Sequence, residues 1–270
     1  MTDNLAIVYS DLDGTLLGPG GSLFSTSSGE TSLRAAAAIK RLHDAGVRLV
    51  LISGRTQLQM QEAARMTGAS AYIAELGALI IERDGYGPEA TTRAFGTFEG
   101  AGAPVEEMAR SGAAAYLLDR YAGALEPHTP WSEHHREATM LFRGHVPNGN
   151  EALRAGGYGW LRLLDNGILP RAFPGLGVDE VHAYHLVPEG VSKATGLRIH
   201  LQRSGADATQ AVAIGDSLSD LELATEVGRM FIVANGRAGV GDAIERFTNA
   251  AYTQASHGDG FAEAIDQLLD

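Results

Sequence analysis

Two aspartates, Asp11 and Asp13, stand two residues apart in the run Ser10-Asp11-Leu12-Asp13-Gly14-Thr15-Leu16-Leu17. The apolar stretch before them, Leu5-Ala6-Ile7-Val8-Tyr9, reads as a buried strand, and Gly14 permits a sharp turn directly after. Two carboxylates this close at a strand end repel each other unless a cation or a shared proton relieves them. One can bind Mg²⁺ while attacking phosphorus, and the other can carry a proton. The plainer account is a solvated turn, because Asp and Gly favour turns in any case.

Three further groups follow in the same setting. The run Val47–Ile52 ends in Ser53-Gly54-Arg55-Thr56, and a hydroxyl beside free backbone N–H groups and a helix N-terminus suits a phosphate oxygen. Alone, such a serine is more often an N-cap. Lys193 begins a helix capped by Ser192, a position where most lysines are solvated. Ala211–Ile214 leads into Gly215-Asp216-Ser217-Leu218-Ser219-Asp220. The i, i+4 spacing puts Asp216 and Asp220 on one side of a first helical turn, where two carboxylates can complete a hard, oxygen-rich Mg²⁺ site. Open parallel sheets bind ligands beyond the carboxyl ends of their strands, so the four groups can converge.

In that order the motifs resemble those of the haloacid-dehalogenase (HAD) phosphatase superfamily. The stretch Asp11-Leu12-Asp13-Gly14-Thr15-Leu16-Leu17 is similar to its first motif, Ser53 to its second, Lys193 to its third, and Gly215-Asp216 with Asp220 to its last. Glu75-Leu76-Gly77-Ala78 resembles the hairpin before the cap in one branch, with Leu76 in place of the usual Asn; Ser219 likewise replaces an Asn. The resemblance implies an α/β fold: a doubly wound parallel, Rossmann-like core with an inserted α+β cap of the C2B type. Residues 1–83 and 184–270 are expected to form the catalytic core and 84–183 the specificity cap. The branch is that of Cof-type, mannosyl-3-phosphoglycerate phosphatase-like and sucrose-phosphatase-like proteins.

The resemblance also implies roles. Asp11 attacks phosphorus to give an aspartyl phosphate, and Asp13 protonates the leaving oxygen and then activates water. Asp13 must carry a proton for part of that cycle, which calls for burial and like charge around it. Mg²⁺ is expected on Asp11, Asp13 (through its backbone carbonyl), Asp216 and Asp220. Ser53, Gly54, Lys193 and backbone groups near Leu12 would hold the phosphate oxygens. In the cap, Arg136, Arg143, His134, His135 and Trp131 are substrate candidates, with Arg55 and Arg65 on the core side; for each of them ordinary packing or surface is the plainer account. A zinc site from His128, His134 and His135 has no carboxylate partner at ligand spacing.

The elements that must position these groups follow from the pattern. Helices are expected near 33–42, 57–67, 192–203 and 219–227, strands at 47–52, 71–74, 211–215 and 230–234, and a tail from Ala250 leading into a final helix through Leu269. Between about 84 and 183 the β-α rhythm breaks into short runs at 105–110, 113–118, 138–142, 159–164 and 181–186, with helical stretches at 131–136 and 149–155. The Gly/Ser-rich loop from Gly18 to Gly29 is long enough to be mobile or functional.

At 270 residues and a formal net charge of −12, the chain suits one large or two modest domains and disfavours nucleic acid and anionic membranes. No cysteine is present, which excludes disulfides, zinc–thiolate sites and thiol nucleophiles. No signal peptide or membrane span is read, so a cytoplasmic monomer or homodimer is expected. The partner is a small phosphorylated metabolite, a sugar phosphate or glycosyl-phosphoglycerate first. Phosphoglycolate hydrolysis and a phosphosugar mutase of the same fold are the alternatives. A phosphoacceptor receiver and a catalytically dead binding protein are the rivals of other classes.

Overall fold

The computed structural model describes residues 5–83, 89–130, 132, 134–169 and 173–270. The chain forms two compact units, one from residues 1–93 and 192–270 and the other from 94–191.

In the first unit the chain runs β1 (Ile7–Asp11), α1 (Arg34–Asp44), β2 (Arg48–Ile52), α2 (Gln57–Thr67), β3 (Ala71–Ala74), β4 (Leu79–Glu82) and β5 (Ala90–Arg93). The second unit contributes α3 (Pro104–Arg110), α4 (Ala113–Arg120), β6 (Leu125–Pro127), β7 (Met140–Gly144), α5 (Gly149–Ala155), β8 (Leu161–Ile168) and β9 (His182–Pro188). The first then resumes with α6 (Lys193–Ser204), β10 (Ala211–Gly215), α7 (Leu218–Leu221), β11 (Arg229–Ile232), α8 (Arg237–Val240), β12 (Ala250–Tyr252) and α9 (His257–Leu269).

The strands of the first unit form one sheet in the order β12-β11-β10-β1-β2-β3-β4-β5. From β12 to β3 the pairs are parallel; β4 and β5 are antiparallel additions. β1, β2, β3 and β10 are apolar along nearly their whole length and buried, as strands covered on both faces by helices must be. The chain leaves β1 toward β2 on one side and returns to β10 on the other, so β1 borders a switch point with its carboxyl end open. The expected doubly wound α/β core is present.

The second unit is a four-stranded antiparallel sheet, β6-β7-β9-β8, packed through Phe142, Leu163, Tyr184 and Leu186 onto Met108, Leu117 and Leu153 of its helices. It is the expected α+β insertion, but its composition differs from the sequence reading in detail. The runs at 105–110 and 113–118 are helices, because their apolar residues Met108, Ala113 and Leu117 fall at helical spacing and supply the buried face. The expected helix at 149–155 is α5. Of the expected helix at 131–136, Trp131 and Glu133 lie outside the described residues, and His134–Arg136 are not helical. β5 belongs to the first sheet and all of β9 to the second, which sets the junctions at 93/94 and 191/192 in place of 83/84 and 183/184.

Candidate active site

Four of the sequence-derived positions meet at the carboxyl ends of β1, β2 and β10. Asp11 is the last residue of β1, Ser53 follows β2, Asp216 follows β10, and Lys193 is the first residue of α6. Ser192 caps that helix by accepting from the Thr195 N–H, which fixes where Lys193 emerges.

Lys193 Nζ donates to Asp11 Oδ1 and to Asp220 Oδ1, each at 2.7 Å. All three side chains are at most 5% exposed. Asp220 Oδ2 is occupied as well: it accepts from the Asp216 N–H, the Ser217 N–H and the Ser217 hydroxyl. Asp11 Oδ2, by contrast, is buried with no hydrogen-bond partner among the described residues. One carboxylate oxygen each of Asp11, Asp216 and Asp220 lies within 4.8 Å of the others.

Burial raises the Asp11 carboxyl well above the ordinary carboxylate range; Lys193 opposes the shift and Asp220 and Asp216 add to it. Burial and the Asp220 charge push Asp216 up to about 7 against the pull of Lys193. For Lys193, burial works against the charge, but Asp11 and Asp220 outweigh it and raise the ammonium above its usual value. Three acids gathered around Lys193 give the site a net negative charge that a divalent cation would offset. The donor set is all oxygen, one donor is an orphaned buried acceptor, and both features fit Mg²⁺.

The turn after β1 favours glycine at 14, where a side chain would be strained and would displace Asp216. The φ of Gly14 is +89°, and a Cβ there would lie 2.1 Å from Asp216 Oδ2. The Gly14 carbonyl accepts from Asn235 Nδ2 at 2.8 Å and from His257 Nδ1 at 3.0 Å, so His257 carries its proton on Nδ1. Asn235 Nδ2 also reaches Asp216 Oδ2 at 3.3 Å, and its Oδ1 accepts from the His257 N–H. Sequence reasoning missed both residues. The available signal was a polar residue, Asn235, just past the end of a parallel strand.

Ser53 is buried beside these groups, with its hydroxyl accepting from the Arg55 N–H at 3.2 Å. The turn of Glu75, Leu76 and Gly77 is left-handed throughout, with φ of 49°, 58° and 106°. Its N–H groups at Glu75 and Leu76 donate to the carbonyls of Arg55 and Ser53. A Cβ on Gly77 would lie 1.9 Å from the Ser192 carbonyl. The hairpin therefore wedges between the Ser53 loop and the start of α6. Leu76, where an Asn is usual, is fully buried; Asn would suit the left-handed backbone better but would bury an amide.

Asp13 departs from expectation. It is exposed, not buried, and both of its oxygens accept from Arg55, Oδ2 from Nε at 2.8 Å and Oδ1 from Nη2 at 2.6 Å. In this geometry both carboxylate oxygens of Asp13 are engaged by Arg55. Ser219 bonds the Ser217 hydroxyl at 2.9 Å and thereby supports the cap of α7. In the second unit, Arg136 is buried and donates to Thr139. Arg143 pairs with Glu126 and lies over the Phe173 ring. His135 is exposed, with φ +58°. His128, His134 and His135 do not form a metal-sized cluster among the described residues.

A parallel sheet whose switch point gathers an aspartate nucleophile candidate, a buried lysine and paired acids defines a HAD-type hydrolytic fold. The chain belongs to the haloacid dehalogenase-like hydrolases: the family pattern matches residues 8–89 and 178–265. A phosphoglycolate phosphatase of Methanoculleus marisnigri is 28% identical over 97% of this chain and 95% of its own length. One of Natronomonas pharaonis is 43% identical over 93 residues, so that the chain matches only 39% of that protein's length. The sucrose-phosphatase of Synechocystis, solved with sucrose and phosphate, shares the fold with a TM-score of 0.64 at 17% identity over 98% of both chains. The superfamily and the α/β core with an inserted α+β unit expected from the four motifs both stand. No helix among the described residues is long and apolar enough to cross a membrane.

Proposed function

We propose that the chain hydrolyses a small phosphomonoester through an aspartyl phosphate on Asp11. The observation that carries this reading is the Asp11 carboxylate, buried, paired through one oxygen with Lys193 and without a partner among the described residues at the other. In the first step a bond forms between Asp11 and phosphorus, the ester P–O bond breaks, and the leaving oxygen takes a proton from Asp13. In the second, water attacks the acyl phosphate, Asp13 takes its proton, and the Asp11 carboxylate and inorganic phosphate separate. Splitting the displacement replaces one hard step by two easier ones. Lys193 offsets the charge of Asp11 against the incoming phosphate, and Ser53 and the Gly54 N–H hold its oxygens. Mg²⁺ on Asp11, Asp216 and the Asp13 carbonyl would stabilise negative charge on the transferring group. Asp220, with both oxygens already occupied, acts there as the support that orients Lys193 and the Asp216 loop.

The Arg55 clamp bears on the substrate. When Asp13 takes up a proton its bidentate pairing with Arg55 breaks, and the guanidinium becomes available for another planar anion. A substrate that brings its own carboxylate suits that exchange. Phosphoglycolate, the substrate in the name of the full-length relative, is therefore the first to test, ahead of sugar phosphates and glycosyl-phosphoglycerates. Phosphate release with Mg²⁺ should be measured for all three classes. A kcat/KM for phosphoglycolate at least tenfold above the others supports the narrower reading, and the reverse order overturns it. Isomerised sugar phosphate without free phosphate would mark a mutase and overturn the hydrolytic reading.

A further inference from the structure

The second unit holds a set of groups that the chemistry above does not use. His182 opens β9, and its cross-strand partner Gly144 is followed directly by His145. Glu180 lies two residues before His182. One ligand atom from each of His145, Glu180 and His182 lies within 4.8 Å of the others. Two imidazole nitrogens and a carboxylate oxygen are a borderline donor set. They suit Zn²⁺ and its neighbours, whereas Mg²⁺ takes oxygen.

The central ring is held in place. It stacks on Tyr184 with centroids 5.9 Å apart and planes 21° apart. Its Nε2 meets Glu180 Oε1 at 2.8 Å. On the opposite edge, Nδ1 lies 2.7 Å from Asp165 Oδ2, and Asp165 Oδ1 is itself fixed by the Gly167 N–H at 2.8 Å. Asp165 thus backs the ring nitrogen that turns away from Glu180, as carboxylates behind metal-binding histidines do. The backbone of His145 is anchored by its N–H on the Ala124 carbonyl at 2.8 Å. The side chains of His145 and Glu180 are exposed, so both can close onto an ion at about 2.0–2.2 Å.

We propose that His145, Glu180 and His182 form a binding site for a Zn²⁺-class cation, with Asp165 positioning His182, and that the ion clips the segment entering β9 to the turn leaving β7. On binding, the cation replaces the proton between His182 Nε2 and Glu180, and that proton passes to solvent.

The test is calorimetric titration of the full chain, untagged, with Zn²⁺ in excess Mg²⁺, which occupies any oxygen-only site. One Zn²⁺ should bind per chain. His145→Ala and His182→Ala should each weaken binding at least tenfold, and Asp165→Asn by about 10–100-fold. Mg²⁺-dependent phosphate release should be unchanged in His145→Ala. His145 is exposed, so that variant decides the matter even if His182→Ala fails to fold. Equal Zn²⁺ affinity in the wild type and His145→Ala overturns the site, as does full displacement of Zn²⁺ by Mg²⁺.

Discussion

Replacing Lys193 by Met removes the cation that, among the described residues, touches both Asp11 and Asp220. The methionine nearly fills the same volume, so the change isolates the charge. Nζ lies 2.7 Å from each acid, and the three side chains are 4%, 5% and 0% exposed. Solvent screening is therefore slight. Taking one partner from a buried ion pair costs about 3–5 kcal/mol, chiefly because the remaining charge is left uncompensated. For a unit of this size that is a drop in Tm of roughly 6–20 °C, at about 2–4 °C per kcal/mol. The loss should depend on pH. Acids whose folded pKa is raised above the unfolded value destabilise the fold as pH rises, and protonation relieves them as pH falls. Asp11 is already raised and Asp216 already pushed up to about 7 with Lys193 present, and both rise further without it. The deficit at pH 7.5 should shrink at pH 5 by about 1.4 kcal/mol per pH unit for each extra proton held. Urea unfolding in EDTA, followed by far-UV circular dichroism, reads this out. Tryptophan fluorescence does not, because both tryptophans, at positions 131 and 160, lie in the stretch of sequence inserted between the two halves of the first unit. A loss below about 1 kcal/mol, or an equal loss at both pH values, would refute the claim that Lys193 is the counter-charge bonded directly to this buried acid cluster.

Asp11→Asn should abolish phosphate release while leaving the circular dichroism spectrum unchanged; retention of more than a few percent of activity removes Asp11 from the nucleophile role. Arg55→Met should raise KM for phosphoglycolate by about 10–100-fold, the worth of one charged hydrogen-bonded contact, while p-nitrophenyl phosphate, which carries no carboxylate, loses much less; equal losses would detach Arg55 from substrate selection. His200 is buried, its Nδ1 sits 2.7 Å from the Tyr9 hydroxyl, and burial lowers it to about 4. The unfolded chain therefore binds the extra proton first, so this contribution is complete above about pH 6.5 and is lost as pH falls toward 4. Between pH 7 and pH 5 the wild type should lose on the order of 2 kcal/mol more than His200→Gln; parallel pH profiles of unfolding free energy would contradict it.

Asp11, Ser53 and Asp216, all read from sequence, share one property: each ends or directly follows a strand buried on both faces. β1, β2 and β10 are continuous apolar runs, and a polar residue that ends such a run is conspicuous. What was not legible depends on contacts across long separations. Arg55 clamps Asp13 from 42 residues away, and Asn235 and His257 reach the Gly14 carbonyl from the far end of the chain. No local spacing encodes these meetings. The inserted unit failed differently. α3 and α4 span only 7 and 8 residues, too few turns to separate a helical period from a strand's alternation. β5, Ala90–Arg93, is a half-exposed edge with no apolar residue larger than alanine, so nothing in its sequence assigns it to the first sheet.

The charge count at the switch point supports a functional reading more firmly than motif order does. Among the described residues, Lys193 is the cation bonded to the cluster of Asp11, Asp216 and Asp220, and Arg55 is engaged by Asp13, which leaves two uncompensated negative charges in the cluster if all are ionised. A chain selected only for stability would replace such acids with apolar side chains of similar size, often at a gain. The fold instead keeps them, orients Asp220 with three donors besides Lys193, and leaves Asp11 Oδ2 without a partner among the described residues. Local rules are broken in this way where function requires it. The imbalance equals the charge of one divalent cation, so Mg²⁺ should stabilise the wild type against unfolding and stabilise an Asp216→Asn variant much less. If Mg²⁺ raised the Tm of both equally, the ion would be binding elsewhere, and the acid cluster would need another explanation.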